Sequence, residues 1–206
     1  MKLIVMINFS EKQNKIIEDT EYYVSKYMTN YDISHDFNHI LRVKELATTI
    51  AIKENIDKDD IFIIQLGALM HDIADHKYCT EIFTQENIIR SFYENILEKN
   101  IIDEVVKIAC NTSLSKEYNN NNPIICKKLY CVQDADRIDS LGAIGISRYF
   151  AYGIIKNTSN IDSIIKNLEY RTNILMKYIK TDYGNLEAEK KYAIIRLFIE
   201  DYKNSI

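Results

Sequence analysis

Apolar residues recur along this chain at spacings of three and four rather than two, which predicts helices and no sheet. Ile16, Ile17, Tyr22, Tyr23, Val24 and Tyr27 fit a first helix. Ile40, Leu41, Val43, Leu46, Ala47 and Ile50 fit a second, ending near Asn55. The run from Ile61 to His71 is mostly apolar, the pattern of a helix buried in a core rather than laid on a surface. Further helices are predicted near 81–98, 102–111, 124–134, 138–152, 161–179 and 186–203. One proline and five glycines leave few breakers, which favours long helices. Pro123, after a run of four asparagines, suits the first turn of the following helix. Residues 157–160 make a second polar loop, and neither loop is long enough to separate domains. No internal repeat is visible. The expectation is one all-α domain over residues 1–206.

Composition narrows the possible roles. A length of 206 residues suffices for one sizeable core. The net charge of −4 is spread over mixed acidic and basic positions, so long-range attraction to nucleic acid or an anionic membrane is not expected. The apolar opening, Met1 to Ile7, is too short for a signal segment, and no stretch approaches the roughly 18 apolar residues of a membrane span. Cys79, Cys110, Cys126 and Cys131 show no CxxC spacing and read as core thiols of a cytoplasmic protein. Fifteen tyrosines without a tryptophan are read as general composition and core filling.

The chemistry is concentrated. All four histidines fall between positions 35 and 76 beside carboxylates, in His35-Asp36-Phe37-Asn38-His39 and His71-Asp72-Ile73-Ala74-Asp75-His76. Imidazole with carboxylate is what a hydrolytic metal site requires. His35 and His39 are four apart, as are His71 and Asp75, which on helices puts each pair on one face. Arg42 follows His39 by three on the same side. His71-Asp72 ends an apolar run, where an unpaired charged group would be costly. A third segment, Gln133-Asp134-Ala135-Asp136-Arg137-Ile138-Asp139, sets three acids within six residues between apolar flanks. Such acids repel one another unless cations compensate. The bland alternative, a solvated Asp-rich turn, fits those flanks poorly. Gly142 and Gly145 cost helix stability, which points to close approach of another helix or of a ligand.

These residues resemble the HD superfamily of metal-dependent phosphohydrolases, whose pattern is H…HD…D. Within it the chain is most similar to the small bacterial HD-domain nucleotide pyrophosphohydrolases. The matching residues are His35-Asp36-x-x-His39-x-x-Arg42-Val43, then His71-Asp72-x-x-Asp75-x-Lys77, then Gln133 to Ile146. They span a core of about 35–150, flanked by helices at 11–30 and 161–206 that cover the core or form a homodimer interface. The resemblance implies a single HD-domain helical bundle in which His39, His71, Asp72 and Asp136 hold one divalent ion. Two imidazoles and two carboxylates suit manganese first, with iron, magnesium, nickel, cobalt or zinc as other candidates. They leave about two octahedral positions for water and a phosphate oxygen. Asp75 is either the general base for that water or a partner holding a histidine ring. Lys77 and Arg42 could neutralise phosphoryl charge in the reaction, and Arg137 could contact substrate, with ion pairs to neighbouring acids as the rival roles of the arginines. His35 contacts substrate, orients Asp36 or sits at the helix start; His76 is a neighbour of the site. Asp134 and Asp139 are partners of the ligands or helix caps. The segments Asn111–Ser115 and Lys127–Leu129 depart from the family's usual stretches, at positions that bear on substrate contact and not on the ion.

The implied activity is hydrolysis of a nucleoside or deoxynucleoside triphosphate to the monophosphate and pyrophosphate. A nucleotidase or phosphodiesterase acting on a monophosphate or a signalling nucleotide shares the whole site. A nucleotide-sensing HD domain without turnover is the reading from another class. The expected partner is a small-molecule nucleotide, with no nucleic acid and no membrane.

Overall fold

A computed structural model describes residues 7–28, 37–73, 84–118, 124–155 and 160–205, and every regular element in those spans is a helix. In chain order they are α1 (Glu11–Tyr27), α2 (Phe37–Lys53), α3 (Lys58–Met70), α4 (Gln85–Tyr93), α5 (Lys99–Cys110), α6 (Leu114–Tyr118), α7 (Lys127–Asp139), α8 (Gly142–Ile155), α9 (Ile161–Met176) and α10 (Asp182–Asn204). Several begin where the first turn's free N–H groups meet a side-chain oxygen. Ser10 and Gln13 form a reciprocal capping box at α1. Asp57, Thr84, Asn160 and Thr181 accept from the first turns of α3, α4, α9 and α10.

The centre of the bundle is α3. Its residues from Ile61 to Met70 are buried except Ile63, as its nearly unbroken apolar run requires. It packs against α1, α2, α5 and α7, and α2 in turn packs on α7. One buried cluster joins side chains of all of these with α4, α9 and α10. The helices that carry the chemistry are thus those closest to the centre, and their backbones are held by core packing. On the outer side, α10 lies against α7, α8 and α9.

Some boundaries differ from those predicted. The break expected between residues 134 and 138 falls at Ser140–Leu141, so the acid-rich run belongs to a continuous α7. The run can remain helical because Asp134 and Asp139 are buried and fully engaged by donors. The helix begins at Lys127, so Pro123 does not open it. Within the predicted 81–98 stretch the described helix is Gln85–Tyr93, and Glu98 serves as the residue preceding α5. The short α6 was not anticipated; none of its residues is buried, so it leaves no apolar pattern.

The turn from α7 into α8 is built on glycine. Gly142 has φ of 68°, a conformation L side chains rarely adopt. At Gly145 a Cβ would lie 2.2 Å from the Ser140 carbonyl oxygen. Backbone cannot swing aside as a side chain can. Gly145→Ala is therefore expected to lower stability by about 1–3 kcal/mol, read as a lower urea midpoint. An unchanged midpoint would mean that the turn is not as tight as described.

Candidate metal centre

Three helices bring the expected ligands to one point. His39 lies in the first turn of α2, His71 and Asp72 leave the C-terminal end of α3, and Asp136 lies three residues before the end of α7. The Nε2 of His39 is 3.6 Å from Asp72 Oδ2 and 3.4 Å from Asp136 Oδ1. The Nε2 of His71 is 3.5 Å and 3.8 Å from the same two oxygens. The donor atoms of His39, His71 and Asp72 all lie within 4.8 Å of one another. Donors about 2.1 Å from a shared ion lie ~3 Å apart when adjacent and ~4.2 Å apart when opposite. The four nitrogen–oxygen separations fall in that interval.

The imidazoles are prepared as acceptors. His71 Nδ1 sits 2.7 Å from the Ala68 carbonyl oxygen and donates to it, which leaves the Nε2 lone pair facing the cluster. That Nε2 is buried and has no hydrogen-bond partner. An orphaned buried acceptor beside two carboxylates is accounted for by a cation, so the residues fit an ion. His39 Nδ1 lies 2.7 Å from Asp139 Oδ2, and its Nε2 likewise faces the cluster. Gln85 holds the end of α3 from outside, donating to the carbonyls of His71 at 2.6 Å and Met70 at 3.1 Å.

Exposure is divided between the donor types. The two imidazoles are 2 % exposed, whereas Asp72 and Asp136 are 32 % and 25 % exposed. The open side of the site is therefore its carboxylate side.

The same geometry sets the electrostatics. Burial works against protonation of His71, yet Asp72 and Asp136 outweigh it and raise its pKa to about 9. Burial likewise opposes the charged form of His39, but Asp136 and Asp139 hold its pKa above the ordinary value. Asp136, against the effect of burial, is held well below the usual carboxylate range by the two imidazoles. Without an ion, protons supply the positive charge that the carboxylates require. Ion binding near neutrality is therefore expected to expel protons. The apparent affinity for Mn²⁺ should rise as pH climbs from 6.5 toward about 9, because His71 Nε2 must be deprotonated to bind. Calorimetry in buffers of different ionisation enthalpy measures this; an affinity flat across that range would contradict it.

Both arginines form ion pairs, the rival role weighed for them, though with other acids than those nearest in sequence. Arg42, expected to neutralise phosphoryl charge, gives Nε to Asp139 Oδ1 at 2.7 Å and Nη2 to Oδ2 at 3.0 Å. That pairing places it on the carboxylate behind His39, with its side chain 30 % exposed. Arg137, expected to contact substrate, is 1 % exposed and donates to Glu117 and the Tyr178 carbonyl. It follows Asp136 by one residue and so points about 100° further round the helix, into a buried network instead of the ion cluster. Asp134 anchors Thr181, the residue that caps α10, accepting from its N and Oγ1, each at 2.7 Å. His35, Asp75, His76 and Lys77 lie outside the described residues.

Sequence reasoning missed Arg148, whose Nη1 reaches Asp139 Oδ2 at 3.0 Å. A signal was present: Arg148 is the one charged residue between Leu141 and Ile155. Gln85 carried no such signal.

An all-helical bundle that gathers His, His-Asp and Asp from three central helices is the architecture of an HD domain. The chain belongs to the HD domain family, whose pattern matches residues 36–141. Among its relatives is the Bacillus subtilis protein YpgQ, 26 % identical over 202 residues that cover 95 % of this chain and 96 % of YpgQ. The crystal structure of YpgQ in complex with ADP superimposes with a TM-score of 0.77 at 27 % identity, covering 95 % and 97 % of the two chains. An HD-superfamily hydrolase from Bacillus thuringiensis superimposes with a TM-score of 0.75 at 28 % identity, covering 94 % and 97 %.

Proposed function

We propose that the protein is a metal-dependent phosphohydrolase that cleaves a nucleoside or deoxynucleoside triphosphate to the monophosphate and pyrophosphate. The observation that carries the reading is the convergence of two imidazole Nε2 atoms and two carboxylates, with His71 Nε2 buried and otherwise unpartnered. The hydrolase among its structural relatives supports the reaction class, and the ADP held by YpgQ supports a nucleotide as ligand. His39, His71, Asp72 and Asp136 would hold one divalent ion, manganese first given the mixed nitrogen and oxygen donors. When bound, such an ion polarises a phosphoryl oxygen and acidifies a water.

The protein's own groups do the rest. Ala68 O and Asp139 fix the two histidine tautomers. The partly exposed carboxylates face the side from which a phosphate chain approaches. Asp75, four residues after His71, takes or aligns the proton of the attacking water; Lys77 neutralises charge on the phosphoryl oxygens and His35 contacts substrate. The whole chain works as one domain in the cytoplasm, as a monomer or a homodimer. Among the described residues no helix is long and apolar enough to cross a membrane.

A panel of nucleotides assayed with several divalent metals tests this through its products. Pyrophosphate released with a monophosphate supports the proposal. Orthophosphate from a monophosphate assigns a nucleotidase instead. Ion binding without turnover of any nucleotide assigns a sensing domain.

A further inference from the structure

We infer that Arg148 is a positioning residue of the metal centre, acting through Asp139 on the imidazole of His39. The inference rests on the metal-site reading above but not on the identity of the substrate. Three observations lead to it.

The first is the arrangement around Asp139, which is 3 % exposed. Its Oδ1 accepts from Arg42 Nε, and its Oδ2 accepts from Arg42 Nη2, Arg148 Nη1 and His39 Nδ1. A buried carboxylate with that many donors is ionised and fixed in orientation.

The second is the tautomer this enforces. Arg148 Nη1 also passes 3.1 Å from His39 Nδ1. Were that nitrogen to accept from Arg148, it would bear a lone pair 2.7 Å from a carboxylate oxygen, with no proton between them. The arrangement without that repulsion has Nδ1–H donating to Asp139, and Arg148 donating to Asp139 beside it. Nε2 is then the lone-pair nitrogen, as an ion requires.

The third is how Arg148 arrives. It follows Asp139 by nine residues, across the turn that only Gly142 and Gly145 allow. That turn folds α8 back so that its single cation, 22 % exposed, ends on the carboxylate behind a ligand. A charged residue in an otherwise uncharged helix is costly to bring toward a core unless it is paired there.

Mn²⁺ affinity measured by calorimetry, with no nucleotide present, tests the inference. Arg148→Ala should weaken binding about tenfold, at the lower end of what losing an outer partner costs a metal site. Arg148→Lys, which still offers one N–H to Oδ2, should recover most of that loss. In an Asp139→Ala background Arg148→Ala should no longer weaken binding, since the carboxylate through which it acts is gone; Asp139→Asn serves if the alanine variant does not fold. The ¹⁵N shifts of His39, read at a pH high enough for the ring to be neutral, should show a single tautomer in the parent and a mixture in Arg148→Ala. A merely structural arginine would lower the melting temperature while leaving ion affinity and tautomer unchanged, and that result overturns the inference. So does an effect that persists in full without Asp139, or a raised KM for a triphosphate with ion affinity unchanged. Ion binding without nucleotide turnover would sink the phosphohydrolase proposal and leave this one standing.

Discussion

Asp136→Ala is expected to reduce phosphohydrolysis by at least about a thousandfold while leaving the helical content intact. The size follows from what an ion supplies. Several kcal/mol of transition-state stabilisation are lost with it, and each 1.36 kcal/mol is tenfold in rate. Asp136 Oδ1 stands 3.4 Å from one imidazole and 3.8 Å from the other, so its loss removes one of the two carboxylates that face both rings. It is also the single candidate ligand from α7, and its loss leaves donors from α2 and the end of α3 alone. Removing the carboxylate loses its pairing with the two imidazoles but relieves like-charge crowding with Asp72 and lets the rings stay neutral, so the helices should persist. The measurement pairs initial rates with metal content and circular dichroism. Activity above a tenth of the parent's, with the ion still bound, would remove Asp136 from the centre.

The largest effect on stability is expected at Glu117. This carboxylate is 12 % exposed and accepts from both Arg137, whose side chain is 1 % exposed, and Lys180 at 2.8 Å. Glu117→Ala would leave a buried guanidinium facing an ammonium without the charge between them. Breaking a buried pair in that way costs about 3–5 kcal/mol. The α6 helix should loosen first, because none of its residues is buried and Glu117 ties it to α7 and to Lys180. The same group predicts a pH dependence. Burial raises the pKa of Glu117, but Lys180 and Arg137 outweigh it and hold it below the ordinary 4.5. A depressed carboxylate contributes stability that is fully present above its unfolded value and lost as pH falls toward its folded one. Stability of the parent should therefore decline below about pH 4.5, and Glu117→Ala should flatten that decline. Urea midpoints across pH 3–7 measure both; a variant whose midpoint matches the parent's throughout would show the network to be incidental.

These expectations also mark where sequence ceased to be informative. Helix α3 was legible because burial on all sides leaves an apolar run that little else produces. The ligand-bearing segments were legible because histidine and aspartate between apolar flanks have few inexpensive structural explanations. Arg137 was misplaced for a physical reason: one residue along a helix is a large rotation, so a neighbour of a ligand faces elsewhere. Asp139 could be weighed as a partner of a ligand but not assigned to His39, because that contact spans 100 residues of chain. Arg148 depended on a turn whose geometry is carried by two glycines, and no spacing rule reports where such a turn aims the next helix. The α6 helix is held by ion pairs and not by an apolar face, so periodicity could not reveal it.

The unequal exposure of the donors bears on how the protein acquires its ion. Imidazoles sealed against the core and carboxylates open to water describe a socket loaded from outside, with oxygen donors met first and nitrogens last. Loading of that kind needs no opening of the bundle, so the ion can exchange while the fold persists. Which metal occupies the site would then follow the free-ion composition around the mature protein and not the conditions under which the chain folded. Isolation in the presence of a chelator should yield a folded apoprotein ready to be recharged, and the metal found after purification would record the buffer as much as the cell.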